Sequence, residues 1–140
     1  MSADVFLDTN VLVYGIAQDD TRTLQAAALL RQGGVISVQV LNEFANVARR
    51  KLRRSWPEIA DALAALRVLF PDPRPMSLAT HDAAVDIAAR HGFAFYDSLI
   101  VASALEAGCS TLLSEDMQDG QVIGGRLTIR NPFGRSPAPA

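Results

Sequence analysis

A chain of 140 residues, 49% of them hydrophobic, can bury one compact core without disulfides or a structural metal. Its one cysteine, Cys109, rules out an intramolecular disulfide, and no apolar run nears the ~20 residues that cross a bilayer. A net charge of −2 is not the basic balance with which a nucleic-acid binder usually advertises itself.

Strand and helix signals alternate, predicting an α/β fold with a mainly parallel sheet and helices on its faces. Residues 5–7 read as a buried strand and 10–16 as a short helix or turn. A helix over 21–31 ends at Gly33-Gly34. Residues 35–37 are expected to form a second strand, followed by a helix to about Lys51. Ser55, Pro57 and Glu58 then spell a capping box with proline in the first turn, opening a helix to about Phe70. Residues 76–78 read as a short strand, and Thr80 or Asp82 as the start of a helix that stops at Gly92. Phe95-Tyr96 reads as an apolar strand end, with a helix from Asp97 to Gly108. Strands over 111–113 and 127–129 complete the sheet, so that the domain spans 1–130. Residues 131–140, with three prolines, read as a flexible tail. Cys109, at a helix-to-strand turn, reads as a small buried thiol. No basic stretch precedes an apolar one at the amino terminus, so no signal peptide is expected and the cytoplasm is the expected compartment.

Four carboxylates stand where a strand is predicted to end or a helix to begin: Asp8, Glu43, Asp97 and Asp116. Parallel sheets bind ligands outside the carboxyl ends of their strands, so acids far apart in sequence can meet there. Like charges do not gather unless a cation holds them, and an all-oxygen set suits Mg²⁺ or Mn²⁺. Singly, each acid has a plainer explanation. Glu43 shares a helical face with Val40, Phe44 and Val47, and could sit at a rim or pair with Arg49 or Arg50. Asp97 could be a helix N-cap, Asp8 a turn residue, and Asp116 part of a solvated loop. Four such coincidences at strand ends are less economical than one metal site, and the reading is a metal-dependent nuclease.

Arg49, Arg50, Arg53 and Arg54 cluster around the only lysine, Lys51, beyond Glu43. They would suit the phosphates flanking a cleaved bond, although a solvated helix end explains them equally well. Ser98 reads as a first-turn helix residue rather than a nucleophile, and His81 and His91 as exposed or structural.

The segments Phe6-Leu7-Asp8-Thr9-Asn10-Val11-Leu12, Asn42-Glu43-Phe44, Tyr96-Asp97-Ser98-Leu99-Ile100 and Leu113-Ser114-Glu115-Asp116 resemble, in order, the four motifs of the PIN-domain family. The likeness is to the VapC-type toxins of bacterial toxin–antitoxin pairs, and the Ile129-Arg130-Asn131-Pro132-Phe133 ending resembles the usual close of that family. The resemblance implies a three-layer α/β/α sandwich, a Mg²⁺- or Mn²⁺-dependent endoribonuclease, a homodimer, and inhibition by a cognate antitoxin protein. Carried over, Asp8 and Asp97 would be direct metal ligands, with Glu43 and Asp116 completing the quartet and Thr9 and Asp119 in support. Metal-activated water would cut the RNA phosphodiester. Two other classes stay open: a catalytically silent RNA- or protein-binding module, and an aspartyl-phosphate phosphatase. The second is weakened because Asn10 stands two residues after Asp8, where that chemistry wants another acid.

Overall fold

The computed structural model describes residues 4–16 and 21–134. In chain order the elements are β1 (Val5–Leu7), α1 (Thr9–Ile16), α2 (Thr23–Gln32), α3 (Val38–Arg50), α4 (Trp56–Leu69), α5 (Leu78–His91), α6 (Phe95–Glu106), β2 (Thr111–Leu113), β3 (Val122–Ile123) and β4 (Leu127–Arg130). The sheet runs β1-β2-β4-β3; the first three strands are parallel and β3 is antiparallel to β4. Single parallel bridges, Phe6 to Val35 and Ser37 to Arg74, continue it outward beyond β1.

Successive strand residues point to opposite faces. Phe6 and Leu7 are both 0% exposed, so β1 is covered on both sides. The first four helices pack in sequence, α1 on α2 and α3, and α3 on α4; α5 and α6 form a second pair, with α6 against β2 and α3. This is the expected α/β/α sandwich with a mainly parallel sheet. Gly15 lets α2 approach α1: a Cβ there would run into the side chain of buried Leu30. No helix among the described residues is long and apolar enough to cross a membrane.

Serines fix the starts of α3, α4 and α5. Ser37 caps α3 through Val40 N–H, and Ser55 with Glu58 closes the expected capping box of α4, with Pro57 in its first turn. Three expectations fail in the stretch from 76 to 97. No strand forms over 76–78; Ser77 instead caps α5 two residues earlier than expected, with Thr80 as the reciprocal partner. Phe95 and Tyr96 are the first turn of α6, not a strand end, and the N-cap is Ala94, which has no side chain to offer. Residues 35–37 make bridges rather than a strand, because the chain turns into α3 at once. The two-residue β3, between glycines, was not anticipated.

Of the expected tail 131–140, residues 131–134 are held to the body. Phe133 meets Tyr14 edge-on at 5.1 Å, and Asn131 takes the backbone N–H of Phe133 at 3.0 Å. The remainder lies outside the described residues. Cys109 is buried as expected, and burial pushes its thiol up to about 11. His81 and His91 are exposed, against Phe95 and Phe93.

Candidate active site

The parallel register pairs Leu7 with Leu113, so the next residue on each strand, Asp8 and Ser114, leaves the sheet side by side. Asp8 N–H donates to Leu113 O at 2.9 Å, and Ser114 Oγ donates to Asp8 Oδ2 at 2.8 Å. The other oxygen, Oδ1, takes Thr9 N–H at 2.7 Å. Asp8 is only 4% exposed and faces no cation among the described residues. Burial raises its pKa to about 7; the hydrogen bonds from Ser114 and Thr9 oppose the rise, and the charges of Glu43 and Asp97 add to it.

Glu43 arrives from α3. Its two oxygens take Thr9 Oγ1 and, from one turn earlier, Gln39 Nε2, each at 2.9 Å. Thr9 therefore donates to two acids at once, by its backbone to Asp8 and by its hydroxyl to Glu43. The arginine partner that sequence allowed for Glu43 is not used. Asp97 lies in the first turn of α6, half-buried, with no hydrogen bond or ion pair among the described residues. Its pKa is raised by burial first, then by Glu43 and Asp116. Since Ala94 is the N-cap, Asp97 is not spent on capping. Asp116 is exposed and takes Asn10 Nδ2 at 3.1 Å, while its own N–H donates to Ser114 Oγ at 3.2 Å.

The quartet thus shares one electrostatic neighbourhood at the carboxyl ends of β1 and β2. It is not a closed cage: among the described residues, no group of three Asp, Glu, His or Cys side chains is arranged to hold a metal ion as it stands. The reason is visible in the bonding. Thr9 stands between Asp8 and Glu43, and Ser114 with Asn10 between Asp8 and Asp116, so hydroxyl and amide donors occupy oxygens that a cation would otherwise draw together. Beside this cluster opens a cleft of about 480 Å³ lined by Gln39, Asn42, Glu43, Asn46, Tyr96 and Asp97.

The supporting candidates divide. Thr9 is central. Asp119 takes Asn131 N–H at 3.0 Å, tying the loop after β2 to the end of β4. The arginines scatter as well. Arg49 lies over the Trp56 ring at 5.0 Å and donates to Arg54 O, and Arg54 is 3.9 Å from Glu58. Arg53 is exposed in a left-handed backbone conformation, φ 56°. Arg50 follows Asn46 by one turn on α3, on the stripe that carries Glu43.

A model of the PIN domain matches residues 5–118. The chain belongs to the PIN domain family. That segment carries all four acids, whereas Asp119, β3 and β4 lie beyond it. Among solved structures, the fold is similar to that of Mycobacterium tuberculosis VapC20, described as a sarcin-ricin loop cleaving toxin. The TM-score is 0.67 at 20% identity, covering 80% of this chain and 91% of that one. No curated protein sequence matches the chain. In this PIN domain, sequence reasoning passed over Ser114, Asn10 and Gln39, the neutral residues that hold the acids. Ser114 was findable: it follows β2 as Asp8 follows β1. Ser98 bonds back to Ala94 O at 3.1 Å, a buried helical hydroxyl and not a nucleophile.

Proposed function

We propose that the chain is a Mg²⁺- or Mn²⁺-dependent endoribonuclease acting in the cytoplasm as the toxin of a toxin–antitoxin pair, homodimeric and restrained by a small antitoxin protein. The observation that carries the nuclease reading is Asp8, a buried carboxylate at a strand end that feels Glu43 and Asp97 with no cationic side chain among the described residues to offset them. Membership of the PIN family and the toxin that shares the fold support RNA as the substrate class and a toxin–antitoxin pair as the setting.

The donor set fits an oxygen-seeking ion. Among the described residues, Asp8 has exchanged water for only two donors, and the carboxylate of Asp97 takes no hydrogen bond or ion pair and can ligate. Asp8 and Asp97 would hold the ion directly, with Glu43 and Asp116 completing its surroundings. When bound, the ion supplies Lewis-acid stabilisation of the phosphate and a water nucleophile near neutral pH. The protein's own part is orientation. Thr9 and Gln39 fix both oxygens of Glu43, leaving each with a second lone pair that can accept a proton from water entering the cleft. Ser114 sets the rotation of Asp8, and Asn10 steadies Asp116.

The looseness of the quartet favours one rival, a silent module that keeps the fold and binds RNA without cutting. The phosphatase reading has less to stand on, since Lys51, exposed at the end of α3, is the only lysine available to it. Incubating purified protein with structured RNA in Mg²⁺ or Mn²⁺ separates these. Cleavage that stops on chelation, returns with added metal and disappears in Asp97→Asn is expected; intact RNA in both metals, with binding retained, would establish the silent module.

A further inference from the structure

We propose that the cleft beside the acids contains a nucleobase subsite, in which Tyr96 stacks on an unpaired base of single-stranded RNA and the amides of Asn42 and Asn46 meet the edge of that base. The proposal rests on the nuclease reading and deepens it.

Three observations converge. Tyr96 is 63% exposed although it lies in a helical turn, directly before half-buried Asp97. Its ring stands in water beside the acids, while Leu99 and Ile100 on the same helix pack into the core. The ring also belongs to an array: Phe95 meets Tyr96 at 5.8 Å between centroids, and His81 meets Phe95 at 5.6 Å, both edge-on. Such an array orients Tyr96 and leaves it a face for a flat partner. The opposite wall is α3, where Asn42 and Asn46 stand one turn apart and line the same cleft. No hydrogen bond among the described residues takes up either amide. Each offers a donor and an acceptor to the cleft, the pair of functions that a base edge presents.

A protein partner would also welcome an exposed tyrosine. The chemistry of this wall favours RNA, because amides facing an aromatic platform suit a planar polar ring better than an aliphatic side chain. Bases of single-stranded RNA are read by stacking on aromatic faces and by hydrogen bonds to their edges. Tyr96 and Asp97 are consecutive, so a phosphate held at the acids carries a flanking base to the ring. A base locked in a duplex cannot make that contact, so the subsite selects loops and ends.

The test uses the full chain carrying Asp8→Asn, with Mg²⁺ present and RNA integrity checked on a gel. Labelled rU and rA decamers and a blunt duplex of equal length are titrated by fluorescence anisotropy. Tyr96→Ala is expected to weaken single-strand binding about tenfold or more and to leave duplex binding unchanged; Tyr96→Phe should restore it. Asn42→Ala and Asn46→Ala should change the ratio between rU and rA affinities. Equal effects on strand and duplex, or none on either, overturn the subsite. So does a Tyr96→Ala variant that binds RNA normally but loses a co-expressed partner protein, which would assign the ring to a protein interface. In the chain with Asp8 intact, Tyr96→Ala should raise KM far more than it lowers kcat. If that chain cleaves RNA and Tyr96→Ala changes neither constant, the subsite falls and the nuclease stands; if it cleaves no RNA in either metal, the nuclease reading itself falls.

Discussion

Asp8 carries a cost that only its partners can remove. Its carboxyl titrates near 7 in the fold against 3.8 for the exposed group, chiefly because burial penalises the anion. Between roughly pH 4 and 7 the folded chain therefore holds a proton that the unfolded chain has released. Stability is greatest below about pH 4 as far as this group is concerned, and is lost as pH rises through about 7. Asp8→Asn abolishes that loss. In chelator at pH 8 the variant should be more stable than the parent, by a few kcal/mol at most, on the order of three pKa units at ~1.4 kcal/mol each. The gap should narrow as pH falls. Urea unfolding at several pH values reads this directly, and a variant destabilised equally at all of them would show that the charge is not under strain. Added Mg²⁺ should stabilise the parent more than the variant, which keeps the other three acids. Thr9 is the next residue to question, since one side chain and its own N–H hold two acids. Thr9→Val keeps the shape but removes the donor to Glu43, and should lower cleavage or metal affinity about 10- to 100-fold, as outer-shell changes do. Thr9→Ser should restore most of it. Equal activity in Val and Ser variants would reduce Thr9 to packing.

At the scale of elements, the caps tell what sequence could and could not show. Ser55 with Glu58 and Pro57 was readable because acid, hydroxyl and proline all point to one start. Ser77 was missed because its reciprocal partner is Thr80, not Glu or Gln. That cap also anchors the α5–α6 pair, since Thr80 Oγ1 goes on to Glu106 at 2.7 Å. Ser77→Ala should lower stability by about 1 kcal/mol while leaving cleavage per folded molecule unchanged; calorimetry and a single-turnover assay separate the two. The acids were legible because charge on an apolar stripe or at a strand end is anomalous by itself. Ser114 could have been found from its place after β2, but Asn10 and Gln39 were not legible, because a neutral polar residue is ordinary until the fold sets it against a carboxylate. Phe95-Tyr96 misled for a related reason: two aromatics before an acid look like a strand end, and only their exposure and the bare Ala94 cap reveal a helix start. The basic run was legible as a group but not residue by residue. Arg49 and Arg54 are engaged by Trp56 and Glu58, whereas Arg50 continues the stripe of Glu43 and Asn46. Arg50→Gln should therefore weaken RNA binding and reduce its salt slope by about one, while Arg49→Gln leaves the slope alone. A slope insensitive to Arg50 would remove it from the RNA path.

At the scale of the whole molecule, the sandwich leaves apolar side chains that its own core does not use. Ile59, Leu66 and Phe70 of the α4 region are buried, but Val68 is 79% exposed and Leu24 on α2 is 84% exposed. The apolar side chains of these helices therefore divide, part serving the core and part facing outward. On the proposed reading, a chain that cuts RNA and presents such side chains to water is expected to need a partner in the cell, for two separable reasons. One is chemical, the nuclease; the other is physical, the uncovered surface. Expressing the chain alone should arrest growth, and co-expressing the small protein encoded by the adjacent upstream reading frame should restore growth and yield a co-purifying complex. The Asp97→Asn variant distinguishes the two reasons. Removing one charge from a repelling cluster should leave the fold intact, so the variant should still capture the partner while no longer arresting growth. Arrest that persists in Asp97→Asn would trace toxicity to the exposed surface and not to cleavage. Healthy growth of the unmodified chain expressed alone, with no complex recovered, would remove the toxin reading and leave the nuclease to be judged on purified RNA.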